Sequence, residues 1–366
     1  MIRPENNRID KYLLREYLKE IAKVVNFYQG IDDYSEYIKN FENIFCKYIN
    51  AKHAKAVNSG TDALQISLIS LGIKRGDEVI VPDLTYISTG LAVIYSGAKP
   101  VFVDVKKEDL TVDENKLENA ITEKTKAIIP VHMFGHPCNM KVIAEIAEKH
   151  DLKIIEDCCQ AFSCKINERM VGTFGDASAF SFSYYKPLSS LSGNGGMIVF
   201  RDSGLARSIE DLIKLWKCND LLKVSGRKFH KISLVDVATI LVKLKNFRLI
   251  EKSRKEAQKL YRENLEEVEE IEIPSERKGR ASIMENFVIL VEKRDKLIEY
   301  LNRKGIKIEH PYRPLHTIKM FGYKAKPQEF SVTERYYQKG LHLPLYSLMK
   351  PEEVEKVTEA IIHFYS

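Results

Sequence analysis

Long apolar runs are missing from this sequence. None is long enough for a helix to cross a bilayer, which excludes an integral helical membrane protein. The first residues, Met1-Ile2-Arg3-Pro4-Glu5-Asn6-Asn7, carry no apolar stretch of the kind a signal peptide needs. Charge of one sign is not concentrated anywhere. The 57 basic and 51 acidic side chains are mixed along the chain and leave a formal charge of only +6, which argues against nucleic acid as a partner. Cysteine is present six times (Cys46, Cys138, Cys158, Cys159, Cys164, Cys218) but never in a zinc-type paired spacing. With no export signal these read as free, mostly buried thiols in a cytoplasmic protein. There is one tryptophan, Trp216, and there is no internal repeat or low-complexity tract.

What is present is an alternation of apolar runs. At 366 residues more than one domain is expected. Residues 1–50 read as helical, anchored by Tyr34, Tyr37, Phe41 and Phe45. Strands are expected at Glu78 to Val81, Val101 to Val105, Ala127 to Phe134, Leu152 to Ile155 and Ala177 to Ser183. Helices are expected between them, at 86–96, at 114–122 and around Val142, Ile143 and Ile146. Such alternation implies a mostly parallel sheet covered on both faces. The run Met197 to Phe200 differs. Its link back to the preceding strand is short, polar and rich in glycine, so this strand should run antiparallel. Residues 203–245 read as helical, with a basic loop around Arg227 to Lys231, and 246–268 as a long charged helix. Beyond it come a strand at Phe287 to Val291, a helix at Asp295 to Arg303 ended by Gly305, and a last helix at Glu352 to Phe364 opened by Pro351. The division expected is a large domain over 1–245, including the N-terminal helices, and a smaller α+β domain over 246–366.

Three separated features carry chemistry. Ser59-Gly60-Thr61 precedes a helix whose Leu64, Leu68 and Leu71 fall on one face. That helix start offers unpaired N–H groups and hydroxyls, which suit a phosphate, although Ser and Thr are also ordinary caps. Asp157 sits where an apolar strand runs out. Lys186 follows the next strand, again at a strand end, where doubly wound sheets keep their ligands. An amine, a carboxylate and a phosphate cradle in a three-layer fold are what pyridoxal phosphate requires. The lysine condenses with the cofactor aldehyde, and the aspartate keeps the pyridine nitrogen protonated. Tyr86, after Pro82, is placed to stack on the ring.

Residues 41–366 resemble the pyridoxal-phosphate-dependent sugar aminotransferases of the DegT/DnrJ/EryC1/StrS type, which have the aspartate-aminotransferase fold. The likeness is carried by Phe41-Glu42, Asn58 to Leu64, Gly76 to Pro82, Gly97 to Asp104, Glu156 to Ala161 and Phe180-Ser181-Phe182 before Lys186. Further on it is carried by Gly305-Ile306, His310-Pro311-Tyr312, Pro314-Leu315-His316 and Leu343-Pro344. The resemblance implies a fold-type-I α/β enzyme, mostly parallel with one antiparallel strand, that moves an amino group through the cofactor. By the same resemblance Lys186 carries the cofactor and shuttles the proton, and Asp157 pairs with the ring nitrogen. Gln160 lies near the ring face or its 3-hydroxyl. Gly60, Thr61, Asp62 (by its backbone) and Ser181 hold the phosphate. Some relatives carry histidine in place of the lysine and act as dehydratases, so the presence of Lys186 favours transamination.

Two departures stand out. Members of the family are homodimers in which an asparagine from the neighbouring subunit reaches the phosphate. Here Phe229-His230-Lys231 stands in its place, so His230 or Lys231 replaces it or the contact is lost. Pro187 takes a position often held by asparagine. The implied reaction moves an amino group from an amino acid, glutamate by resemblance, to a nucleotide-linked keto-sugar. The alternatives are a keto-cyclitol acceptor and a cofactor-binding regulatory member without turnover. His310, Tyr312 and His316 are candidates either for substrate contacts or for packing at the domain junction.

Overall fold

The structure is a computed structural model that describes residues 2, 8–28, 35–214, 231–275, 277–326 and 328–366. Two amphipathic helices, α1 (Arg8–Tyr28) and α2 (Ser35–Ile49), lead into β1 (His53–Val57). Then follow α3 (Gly60–Ser70), β2 (Glu78–Pro82), α4 (Ile87–Tyr95), β3 (Lys99–Val103), the short α5 (Leu117–Ala120), β4 (Thr125–Ile128), α6 (Met140–Lys149) and β5 (Lys153–Asp157). A hairpin of β6 (Lys165–Ile166) and β7 (Arg169–Met170) precedes β8 (Ala177–Ser181), β9 (Gly196–Phe200) and α7 (Ser203–Lys214). The rest comprises α8 (Leu234–Lys245), α9 (Phe247–Leu265), β10 (Ile271–Glu272), β11 (Arg280–Ala281), β12 (Phe287–Val291), α10 (Arg294–Arg303), α11 (Ser331–Lys339), β13 (Gly340–Leu343) and α12 (Pro351–Tyr365).

Seven strands form the main sheet in the order β1-β9-β8-β5-β4-β2-β3. Only β9 runs against its neighbours; the other pairings are parallel. The strands read as unbroken apolar runs because both faces are covered. In β2, Val79 and Val81 enter one apolar cluster and Ile80 another; in β9, Ile198 and Phe200 part from Met197 and Val199 in the same way. A second sheet, β10-β12-β13, lays Phe287, Ile289 and Val291 against α9, α10 and α12, and Ile2 joins that cluster. The opposite face of β12, Val288 and Leu290, packs into the core of the main sheet.

Three sequence expectations need correction. The strand expected through Phe134 stops at Ile128. Pro130 has no N–H to give a ladder, and its carbonyl instead accepts from Asp157 N–H at 2.9 Å. The chain then makes a single helical turn, Met133–Gly135, with Phe134 at φ 56°. The helix expected at 114–122 is one tight turn, Glu114–Lys116, followed by the four residues of α5, since Ile121 is extended. The strand expected at 101–105 lies two residues earlier, because Asp104 turns its carboxylate to the N–H groups of Val105 and Thr333. The basic loop over 227–230, His230, Trp216 and Cys218 lie outside the described residues, while Lys231 is described and exposed. The five described cysteines are free, with Cys138, Cys158 and Cys164 buried. Among the described residues no helix is long and apolar enough to cross a membrane.

Candidate active site

A cavity of about 520 Å³ opens at the carboxyl ends of β5, β8 and β2, and most of the expected site residues meet there. One wall is the first turn of α3. Ser59 caps that helix by accepting Asp62 N–H at 3.1 Å. That bond occupies the Asp62 N–H, and the Asp62 side chain, 1% exposed, is not on the cavity wall. Ser59, Gly60 and Thr61 are on the wall, facing Ser181 and Ser183. A Cβ added at Gly60 would stand 2.7 Å from Cys159 Sγ and 2.9 Å from Ser181 Cβ. Only glycine lets these three elements close into one cradle. At Gly196 a Cβ would meet the Ser59 carbonyl at 2.5 Å, so the loop after Lys186 is equally dependent on a bare backbone.

β5 ends in two carboxylates that alternate to opposite faces. Glu156 faces away from the cavity. It accepts N–H groups of Gly172, Phe174 and Gly175 and pairs with His132 at 3.1 Å. Burial would raise its pKa, but His132 and these N–H groups outweigh that and hold it below its ordinary value. His132 Nδ1 accepts Cys138 N–H, so Nε2 carries the proton. Within the buried His132–Glu156–Cys158 group, His132 and Glu156 are thereby committed to hydrogen bonds with each other and with backbone. Asp157 faces the cavity, 4% exposed. Thr89 Oγ1 donates to one oxygen at 2.8 Å and Cys159 N–H to the other at 3.1 Å, with Thr85 bonded behind Thr89 at 2.9 Å. Asp157 has no ion pair among the described residues. A buried carboxylate of this kind calls for a cationic partner, which a protonated pyridine nitrogen supplies.

Lys186 follows a turn closed by its own N–H on the Ser183 carbonyl at 3.0 Å. Its ammonium is bound to Glu285, 2.7 and 3.0 Å from the two carboxylate oxygens. Burial alone would lower the Lys186 pKa, but the Glu285 carboxylate, with Cys159 and Asp157 nearby, outweighs it and raises the pKa above the ordinary value. Burial pushes the Cys159 thiol well up, and Asp157 adds to that.

Gln160 lines the cavity and accepts the Phe134 N–H at 2.9 Å, which fixes the Phe134 turn. Phe134 stacks on Tyr312, centroids 5.8 Å apart, and Tyr86 meets Tyr312 edge-on at 6.0 Å. Tyr86 is 55% exposed at the mouth, with His310 and Glu309 on the same rim. His316 is not on the cavity wall. It bonds Asp83 at 2.7 Å and stacks on Phe330 at 4.6 Å, which fixes its segment to the end of β2. The sequence reading missed Glu285, Thr89 and Cys159. The apolar strand beside Glu285 was visible, but the carboxylate precedes that strand instead of ending it.

Lys186, Asp157 and the start of α3 meet on one cavity of an α/β fold with a mostly parallel sheet and one antiparallel strand, and the residues present fit pyridoxal 5'-phosphate. The comparisons agree. A model of the DegT/DnrJ/EryC1/StrS aminotransferase family matches residues 14–362, and the chain belongs to that family of pyridoxal-phosphate-dependent aminotransferases. It is 34% identical over 344 residues to a GDP-perosamine synthase of Escherichia coli O157:H7, covering 92% of each chain. It is 32% identical over 365 residues to the dTDP-3-amino-3,4,6-trideoxy-alpha-D-glucose transaminase of Micromonospora megalomicea subsp. nigra, covering 96% of each. The crystal structure of S. venezuelae DesV with a ketimine intermediate matches with a TM-score of 0.90 at 30% identity, over 97% of this chain and 96% of that one.

Proposed function

We propose that this aminotransferase takes an amino group from an amino acid, glutamate, and gives it to the keto group of a nucleotide-linked deoxysugar. The observation that carries the reading is the meeting of Lys186, Asp157 and the α3 start on one cavity. When bound, the cofactor supplies an electron sink and a carrier for the amino group. Lys186 is the amine that bonds it and, when free and neutral, the base that moves the substrate proton. Asp157, oriented by Thr89 and Cys159, holds the ring nitrogen protonated. Gly60, Thr61, the Asp62 backbone and Ser181 hold the phosphate at the Ser59-capped start of α3, Tyr86 covers the ring, and Gln160 lies beside it. Relatives named for GDP- and dTDP-linked amino sugars support a nucleotide sugar as acceptor.

His310 and Tyr312 are in position to meet the acceptor at the rim; His316 acts by holding their segment to Asp83. The reading includes a cytoplasmic homodimer divided near residue 245. Exposed Tyr184, Tyr185 and Leu191 close to the mouth support such a dimer by leaving apolar surface for a second copy to cover. His230 or Lys231 of that copy would stand in for the family's asparagine. The test is to load the protein with pyridoxamine phosphate and screen nucleotide keto-sugars for conversion of the cofactor to its aldehyde form, followed by absorbance. Conversion by keto-cyclitols alone, or by no ketone at all, would overturn the assignment.

A further inference from the structure

Nothing in the reading above uses Glu285, yet it is the closest charged partner of Lys186. Its carboxylate, 3% exposed, holds Nζ with both oxygens. The backbone beneath it is fixed as well. Arg254 of α9, itself buried, donates Nη1 to the main-chain carbonyls of Met284 and Glu285 at 3.0 and 3.2 Å, and Nε to Ser347 Oγ at 3.3 Å. A buried guanidinium thus holds the chain that presents the carboxylate. Glu285 lies in the lead-in to β12 of the second sheet, whereas Lys186 lies in the turn after β8 of the main sheet, so the contact ties together segments that flank two separate sheets. A buried pair of this geometry costs desolvation and is kept only where both partners are well bonded.

We propose that Glu285 is the positioning residue of Lys186: it holds the lysine as an ammonium in the cofactor-free protein, and takes the Nζ proton when the amine must attack or act as a base. In that step an Nζ–H bond breaks, a carboxyl O–H bond forms, and the ion pair becomes a neutral pair. No electrons change owner. Lys186, once neutral, would be the amine that bonds the cofactor aldehyde, with water as the leaving group. The inference rests on the reading of Lys186 as the cofactor lysine.

Other charged or titratable groups also face Lys186. Asp157 and Cys159 approach from the end of β5. Glu309, His310 and Tyr312 line the same cavity. Asp10 of α1, Lys243 of α8 and Arg254 of α9 line a smaller cavity of about 240 Å³ on the other side of Lys186. Asp10 and Lys243 are paired with each other at 2.7 Å. Glu285 is the group in ion-pair contact with Nζ.

The test is trace acetylation of the cofactor-free protein from about pH 7 to 11, with the Lys186 peptide quantified by mass spectrometry. Removing the carboxylate while keeping its shape, as Glu285→Gln, takes away the group that favours the ammonium. The labelling midpoint then moves to lower pH, and labelling at about pH 8 rises at least about threefold. Glu285→Asp, with its charge set back by one methylene, gives a midpoint between the two and supplies the reading if the Gln variant does not fold. A variant that merely loosened the site would raise labelling at every pH without moving the midpoint. That result, or an unchanged profile, overturns the proposal. The two readings fail separately. A shifted midpoint in a protein that never binds pyridoxal phosphate retains the Glu285 pairing and removes the cofactor role. A normal cofactor spectrum with an unshifted midpoint does the reverse.

Discussion

Gly60→Ala tests the phosphate cradle with one methyl group. The new Cβ would stand 2.7 Å from Cys159 Sγ and 2.9 Å from Ser181 Cβ, closer than real Cβ contacts come. The backbone accepts alanine, since Gly60 opens an ordinary helix, so the strain is steric. Relieving it pushes the Ser181 wall toward the space meant for the phosphate. Overpacking of this kind costs about 1–3 kcal/mol of stability. The loss of one hydrogen bond to a charged phosphate costs about 1.5–3 kcal/mol, or roughly 10- to 150-fold in Kd. Equilibrium titration of cofactor-free protein with pyridoxal phosphate reads the loss, and titration with pyridoxal, which lacks the phosphate, is the control. The phosphorylated ligand should weaken much more than the other. Equal weakening of both, or an unchanged affinity for pyridoxal phosphate, would show that the phosphate does not sit at the start of α3.

Asp157→Asn keeps the Thr89 and Cys159 contacts but removes the charge that stabilises a protonated ring nitrogen. It should retain the fold and lower the rate of the glutamate half-reaction by about 10²–10⁴-fold in single-turnover absorbance. Lys186→Ala strands the Glu285 carboxylate and should cost roughly 3–5 kcal/mol in urea unfolding of the cofactor-free protein, while the added Glu285→Gln change should recover part of it. Arg8 holds α1 to the start of α12 through two bonds to Glu353, at 2.7 and 2.9 Å. Burial would raise the Glu353 pKa, but Arg8 overrides it and holds the carboxyl at about 2. A folded-state pKa below the ordinary 4.5 means that the contribution is complete above that value and is lost as pH falls toward about 2. The stability advantage over Arg8→Ala should therefore be flat at neutral pH and shrink across that acid window in thermal melts.

The main sheet was legible because its strands are buried on both faces and its helices carry clear starts, as at Ser59. The antiparallel run of β9 followed from a link that is short and too polar and glycine-rich to form a crossover helix. What failed had local causes. Pro130 ended β4 early, and Asp104 drew β3 two residues back by binding backbone instead of extending a strand. Asp157 could be found because a charge at the end of an apolar strand is conspicuous. The Ser59 cap on Asp62 N–H is a detail that spacing does not reveal. His316 shows the same limit: its partner, Asp83, is distant in sequence. Glu285 was out of reach for the same reason, since its partner, Lys186, is distant in sequence.

The central claim is that Lys186 is the amine that bonds the cofactor. Borohydride reduction of the protein loaded with pyridoxal phosphate, followed by peptide mass spectrometry, tests it directly. The account predicts a stable pyridoxyl adduct on the peptide containing Lys186 and none on that peptide in Lys186→Ala. An adduct confined to another lysine, or no adduct on protein that has taken up the cofactor, would contradict it.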